Sequence, residues 1–516
     1  MAQTNTRPSA VQRALVLLSV CLIAGAMPLT FTGPAVALPA IGKALGGSPV
    51  ALNWVTNAFM LTFGSSLMAA GGLADAYGRK RVFLIGVGAF AVLSMALSAA
   101  PDIMWFDLGR AAQGAAAAAA FSGGMAALAQ EFEGPARLRI FSVVGASFGV
   151  GLAFGPIASG LLIDAFGWRS IFGLVVVLAA LALALGARCL QETRDPDATG
   201  LDWPGALSFT LALALFTYGV LLAPERGWSD LIVMGLFAGS FGLFVGFGLI
   251  ERRVARPMLD LTLFRYPRFV GVQLLAAAPA YAFVVLLILL PVRFIGIEGL
   301  SEIAAGRLMI ALSAPLLVLP IAVGLLTRWL APATICGVGL LICAAGLFWL
   351  SRLPLGGETM GMIMPMALIG IGISLPWGLM DGLAVSVVPK ERAGMATGIF
   401  STTRVAGEGV ALAVVSAVLS TLTAEHLAAG VANTDEGQAA QRLVTGDIAG
   451  AASALPQISR AALVQSYGDA FATLLSILCA ITVVTAIVVF AFLGRGAERA
   501  SKQAEEAEER FGTSEA

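Results

Sequence analysis

Apolar runs of about twenty residues or more recur along this chain, separated by short polar stretches. A helix needs about 20 mostly apolar residues to cross the hydrocarbon layer of a bilayer. Such runs occupy residues 14–38, 51–73, 82–100, 104–129, 139–163, 170–188, 205–223, 231–250, 270–292, 303–326, 332–350, 360–387, 394–422 and 468–493. The pattern predicts an all-α polytopic membrane protein of 14 transmembrane helices. Several runs exceed 20 residues, which predicts tilt or helix ends that emerge into water. The longest break, 423–467, is rich in Ala, Gly, Thr and Gln, and its charges (Glu425, Asp435, Glu436, Arg442, Asp447, Arg460) follow no pattern. A solvated external loop is expected there. Residues 495–516 read as a charged tail.

Composition supports the membrane reading. Of 516 residues, 58% are hydrophobic and 12% charged, against about 25% charged in soluble domains. Lys+Arg and Asp+Glu balance at 31 each, so no basic surface for nucleic acid is implied. The five cysteines lie in or beside apolar runs without metal-ligand spacing, and the single histidine, His426, lies in a polar stretch. A metal, a cofactor or histidine-based catalysis has little material to work with. A polytopic enzyme or a channel, the rival classes, would need catalytic clusters or filter-like loops, and neither is found. Ala35-Val36-Ala37 resembles a signal-peptidase site, but the run before it is longer than a leader's apolar core, so it is read as the first span.

Basic residues set orientation. With the amino terminus in the cytoplasm, 21 of the 31 Lys and Arg fall on the cytoplasmic side and seven opposite; Arg110, Arg307 and Arg404 lie within apolar runs. Both termini are expected in the cytoplasm.

Four motifs stand in order. Between spans 2 and 3, Gly71-Gly72-Leu73-Ala74-Asp75-Ala76-Tyr77-Gly78-Arg79-Lys80-Arg81 joins glycines for a tight turn to an acid and a basic cluster, a charged latch. Span 4 carries Arg110-Ala111-Ala112-Gln113-Gly114, an arginine in mid-span that is costly and usually functional. Span 5 carries Gly145, Gly149, Gly151, Gly155-Pro156 and Gly160, a flat face with a proline-weakened ladder. The first span ends Thr30-Phe31-Thr32-Gly33-Pro34-Ala35-Val36-Ala37-Leu38-Pro39, and Trp54-Val55-Thr56 follows.

The latch resembles the G-x-L-x-D-x-x-G-R-K signature of the major facilitator superfamily. Arg110 to Gly114 resembles its R-x-x-Q-G motif, and Gly151 to Gly160 its antiporter signature. The end of the first span is similar to that of the 14-helix drug:proton antiporters, except that Thr30 stands where they have an aspartate and Ala35 where they have an asparagine. Ala76 replaces the usual arginine after the latch acid. Gly324-Leu325-Leu326-Thr327-Arg328 repeats the latch at an offset of 253 residues, and Arg392 repeats Arg137 at 255. The resemblance implies a six-helix half over 1–190, an inserted helix pair with flanking segments over 191–268, a second half over 269–494 and a tail over 495–516. Asp75 is expected near a second-half helix end, with Arg79 near Glu131 or Glu133.

The implied function is proton-coupled export of drugs or other small, largely apolar compounds by alternating access, in the inner membrane of a bacterium, by a monomer without cofactor. Its partners are substrate, protons and lipid. An importer or facilitator on the same fold is the nearest rival. Coupling needs a buried acid that exchanges a proton. The first span has lost its family acid, and spans 4 and 5 offer none in mid-membrane. Asp381 or Glu408, with Arg404 four residues before Glu408 on one helical face, is therefore the expected carrier. The embedded arginines make an anionic or neutral substrate plausible. Its cavity draws on Thr30, Thr32, Asn53, Asn57, Arg110, Gln113 and Trp377.

Overall fold

The computed structural model describes residues 10–132, 134–194, 202–254, 259, 261–327, 329–355, 359–387, 393–428 and 436–494. Every regular element among them is helical. The first group is α1 (Ala10–Leu45), α2 (Pro49–Tyr77), α3 (Arg79–Ser98), α4 (Ile103–Glu131), α5 (Gly134–Phe166) and α6 (Ser170–Cys189). A hairpin follows, α7 (Trp203–Arg226) and α8 (Leu231–Glu251). Then come α9 (Pro267–Pro279), α10 (Val285–Val292), α11 (Glu302–Ser313), α12 (Pro315–Leu326), α13 (Pro332–Ser351), α14 (Thr359–Ser386) and α15 (Ala393–Ala428). Two short helices, α16 (Glu436–Val444) and α17 (Ile448–Ala454), precede α18 (Arg460–Val489).

Local sequence sets the helix starts. Ser48, Asp102, Asp230 and Ser459 each accept a hydrogen bond from a backbone N–H of the first turn. Proline stands at or next to the first position of α2, α7, α9 and α13, where its missing N–H costs nothing. Inside a helix it costs a bond. Pro156 cannot donate to residue 152, and α5 bends by 43° between Val143–Leu152 and Phe154–Phe166. Past Pro279 and Pro291 the chain widens into π turns at Ala280–Val284 and Arg293–Ile297.

Among the described residues, eleven helical stretches are long and apolar enough to cross a membrane, and up to twelve when the bent α5 is one span. That is fewer than the fourteen expected. α2 and α4, 29 residues each, are not among them, because Arg110, Gln113 and glycines dilute α4 while Asn53, Asn57 and Asp75 dilute α2.

α1 to α6 pack mainly on one another, as do α9 to α15 with α18. The two groups meet chiefly along two seams, α2 against α15 and α5 against α11, with a smaller contact of α1 on α10. Backbone approaches backbone at the first seam: a Cβ on Gly64 would meet the backbone of Ala406. At the second, a Cβ on Gly160 would lie 2.7 Å from the Glu302 carbonyl. α7 packs on both α2 and α15, whereas α8 packs chiefly on α7.

The stretch 423–467 is not the open loop expected. α15 runs on to Ala428, and α18 begins at Arg460. Ala439, Ala440, Leu443 and Val444 form the buried face of α16, a three-and-four spacing that the surrounding polar residues obscured. α16 packs on α15, α7, α2 and α18. His426 lies within α15, its Nδ1 2.7 Å from the Leu422 carbonyl oxygen.

Candidate functional site

Arg110 is completely buried, in a helix wedged between α2 and α3. Its Nε donates to the Val55 carbonyl of α2 at 2.7 Å and its Nη1 to Gln113 Oε1 at 2.5 Å. Gln113 Nε2 donates to Ser94 Oγ at 2.8 Å, and Ser94 Oγ donates to the Phe90 carbonyl at 2.6 Å. The guanidinium carbon lies 4.7 Å from the centre of the Phe59 ring. A buried cation persists only where such partners replace water. The relay pins three helices together, with Arg110 Nη2 left without a hydrogen-bond partner.

The first-span candidates turn inward on their own helix. Thr30 donates to the Ala26 carbonyl at 2.6 Å and Thr32 to that of Pro28 at 2.9 Å. Thr32 also faces Gly155 of α5, where a Cβ would run into its hydroxyl. Gly151 gives the same close approach to Gly25 of α1. Asn57 Nδ2 donates to the Asn53 carbonyl at 2.9 Å while its Oδ1 has no partner. Asn53 lines a small cavity with Ser416, Ser420 and Gln441, of about 10 Å³, room for about one water.

A second cluster forms in the other group. The Arg404 guanidinium carbon lies 5.9 Å from the Trp377 ring centre and 5.5 Å from that of Phe400. Phe283 meets Trp377 edge-on at 6.3 Å. Glu408, one turn after Arg404, is 2% exposed. The structure thus brings Trp377, Arg404 and Glu408 together on α14 and α15, whereas Arg110 and Gln113 lie on α4. The backbone of Asp381 lies in α14, and its side chain is outside the described residues. Arg307, expected to be embedded, is exposed on α11.

The latch closes on itself. Asp75 Oδ1 accepts from Arg79 Nε at 3.0 Å and Nη2 at 2.7 Å. The expected contact of Arg79 with Glu131 is not made: Glu131 lies 4.0 Å from Arg13, and Glu133 is outside the described residues, as is the segment 388–392 before α15. Lys80 and Arg81 turn their backbone N–H groups to the Glu192 carboxylate, each at 3.2 Å, an anion at the amino end of α3. Gly78, with φ 114°, is confined to glycine's region, and a Cβ there would strike Glu192 at 2.5 Å.

Three features escaped the sequence reading. Glu192 sat in a stretch read as a polar connection. Arg293, just past the 270–292 run, forms a buried pair with Glu298 at 2.7 Å, its guanidinium carbon 5.0 Å from the Phe471 ring centre. Asp107 lies in the second turn of α4, three residues before Arg110 and short of the mid-span stretch in which no acid was expected. Its Oδ1 is buried without a hydrogen-bond partner. The signal was an acid and an arginine at a spacing that shares one helical face.

Many apolar helices and buried polar relays between them define a multi-pass membrane protein of the transporter kind. The model of the Major Facilitator Superfamily matches residues 18–412, and the chain belongs to that superfamily. It is 32% identical over 390 residues to the multidrug resistance protein Stp of Mycobacterium tuberculosis, covering 75% of this chain and 72% of that protein. It is 33% identical over 401 residues to the puromycin resistance protein pur8 of Streptomyces alboniger, covering 76% and 79%. Among solved structures, a bacterial homologue of the human lysosomal transporter Spinster, in an inward-facing and unoccupied conformation, superposes with a TM-score of 0.61 at 16% identity, covering 94% of this chain and 97% of that one. That likeness concerns the fold alone.

Proposed function

We propose that this transporter is a proton-driven exporter of small, lipophilic organic compounds, of the 14-helix drug:proton antiporter kind. The observation that carries the reading is Glu408. A carboxyl group 2% exposed in the middle of α15, one turn from Arg404 and in the helix that pairs with α2 across a seam, is placed to exchange a proton as the seam opens and closes. Asp381 is the other candidate carrier. The names of the relatives, resistance proteins for many drugs and for puromycin, support export.

Fourteen spans result when α2 and α4 are added to the twelve apolar ones. The inserted pair is then α7 and α8, between six-helix halves over 1–190 and 269–494. The bias of basic residues supports cytoplasmic termini in a bacterial inner membrane, and the working unit is a monomer. Trp377, with Thr30, Thr32, Asn53, Asn57, Arg110 and Gln113, belongs to the walls and supports of the path.

The test uses inverted vesicles, puromycin as the probe and an imposed pH gradient. Uphill, gradient-dependent puromycin uptake is expected, and its loss in Glu408→Gln or Asp381→Asn. Wild-type uphill rates in both variants would exclude these carriers, and gradient-independent movement would reduce the protein to a facilitator.

A further inference from the structure

We infer that Asp107 is a proton-exchange site in the first group of helices, and that Arg110 is the group that takes up its negative charge. The inference rests on the proton-coupled reading and adds a site to it. It begins from two atoms. Asp107 Oδ1 is buried and has no hydrogen-bond donor; Arg110 Nη2 is buried and has no acceptor. A buried polar atom without a partner is costly, more so when charged. These two are complementary, and they stand three residues apart on one helix, on neighbouring positions of the same face.

The arrangement has two forms that differ in charge. With its proton bound, the Asp107 carboxyl is neutral and needs no cation beside it. With the proton released, the carboxylate pairs with the free Nη2, which no other acceptor occupies. Proton loss and pairing are thus one event: the proton leaves to water at the α4 amino end, five residues from the cap Asp102, and the charge left behind passes into the Arg110 relay. That relay is anchored on the Val55 carbonyl and, through Gln113 and Ser94, on α3. A change in charge at Asp107 therefore pulls on α2, the helix that forms the seam with α15.

The surroundings leave Arg110 as the charge that decides. It is the cation acting on Asp107. The half of α2 that faces it, Pro49–Phe59, and the half of α3, Phe90–Ser98, carry no charged residue. At the same end of the bundle as the α4 start, α1 offers Lys43 and α5 offers Asp164, and Arg169 is held by the Ser98 carbonyl at 3.0 Å.

The test needs no substrate. Full-length protein in lipid nanodiscs is titrated through neutral pH while infrared difference spectra follow the C=O stretch of protonated carboxyl groups. The wild type is expected to show a titrating carboxyl band that Asp107→Asn loses, that Asp107→Glu restores at a shifted frequency, and that Asp102→Asn leaves in place. The same band in Asp107→Asn as in wild type would overturn the inference. In liposomes with puromycin and a pH gradient, Asp107→Asn is expected to lose uphill uptake and Asp107→Glu to regain it; full uphill uptake by Asp107→Asn would likewise overturn it. If the wild type moves no puromycin, the export reading fails on its own account, and the infrared band still judges Asp107.

Discussion

Replacing Gln113 with leucine leaves an apolar side chain one bond shorter and deletes the middle of the Arg110 relay. Two hydrogen bonds vanish: the one from Arg110 Nη1 at 2.5 Å and the one to Ser94 Oγ at 2.8 Å. Arg110 then keeps the Val55 carbonyl as its acceptor, and a second guanidinium nitrogen loses its partner. A hydrogen bond to a charged group contributes about 1.5–3 kcal/mol and a neutral one about 0.5–1.5 kcal/mol, so the loss amounts to about 2–4 kcal/mol. Cys336 and Cys343 are buried and report unfolding when a thiol-reactive fluorogenic dye is present during heating. The expected result is a melting midpoint several degrees below wild type for Gln113→Leu, and a smaller fall for Gln113→Glu, which keeps an acceptor for Arg110. A leucine variant that melts with the wild type would refute the relay as a support of Arg110.

Four further outcomes follow from the same geometry. Glu298→Gln leaves Arg293 as an uncompensated buried cation and is expected to cost about 3–5 kcal/mol in the same melting assay, with part of the loss recovered when Arg293→Met is added. Gly155→Leu forces a side chain into Thr32 and the backbone at Leu29; an overpacking cost of about 1–3 kcal/mol should slow puromycin efflux from cells at unchanged protein level. Ser453→Cys places an exposed thiol in the last turn of α17 and should react with a membrane-impermeant maleimide added to intact cells; labelling confined to inverted vesicles would reverse the proposed orientation. Glu192→Gln removes the anion from the amino end of α3 and should weaken the latch end by about 0.3–1 kcal/mol, read as faster proteolysis of the α6–α7 connection.

The helices were legible because a bilayer demands long apolar runs, and the runs are there. The count was less so, because α2 and α4 spend polar residues and glycine on contacts inside the protein. Arg110 and Gln113 were legible as a pair because their spacing is local. Their other partners, the Val55 carbonyl and Ser94, were not, since backbone acceptors leave no mark in a sequence and Ser94 is 19 residues away. The latch showed the reverse error. Asp75 and Arg79 are four apart and pair with each other, whereas Arg79 was expected near Glu131 or Glu133, the second of which is outside the described residues. α16 was missed because a nine-residue helix with small apolar residues resembles a loop. Arg307 was misplaced because an apolar run does not say which face of its helix meets the protein.

The hairpin of α7 and α8 has a consequence for how a molecule enters from the bilayer. Of the two seams between the helix groups, α2–α15 carries α7 on its flank, with α8 outside it, so the hairpin shutters that side. Among the described residues, no helix pair covers α5–α11 in this way. The two seams thus differ in what flanks them: a helical hairpin lies beside one and not beside the other, so on the export reading a compound that comes from the lipid reaches the second seam and not the first.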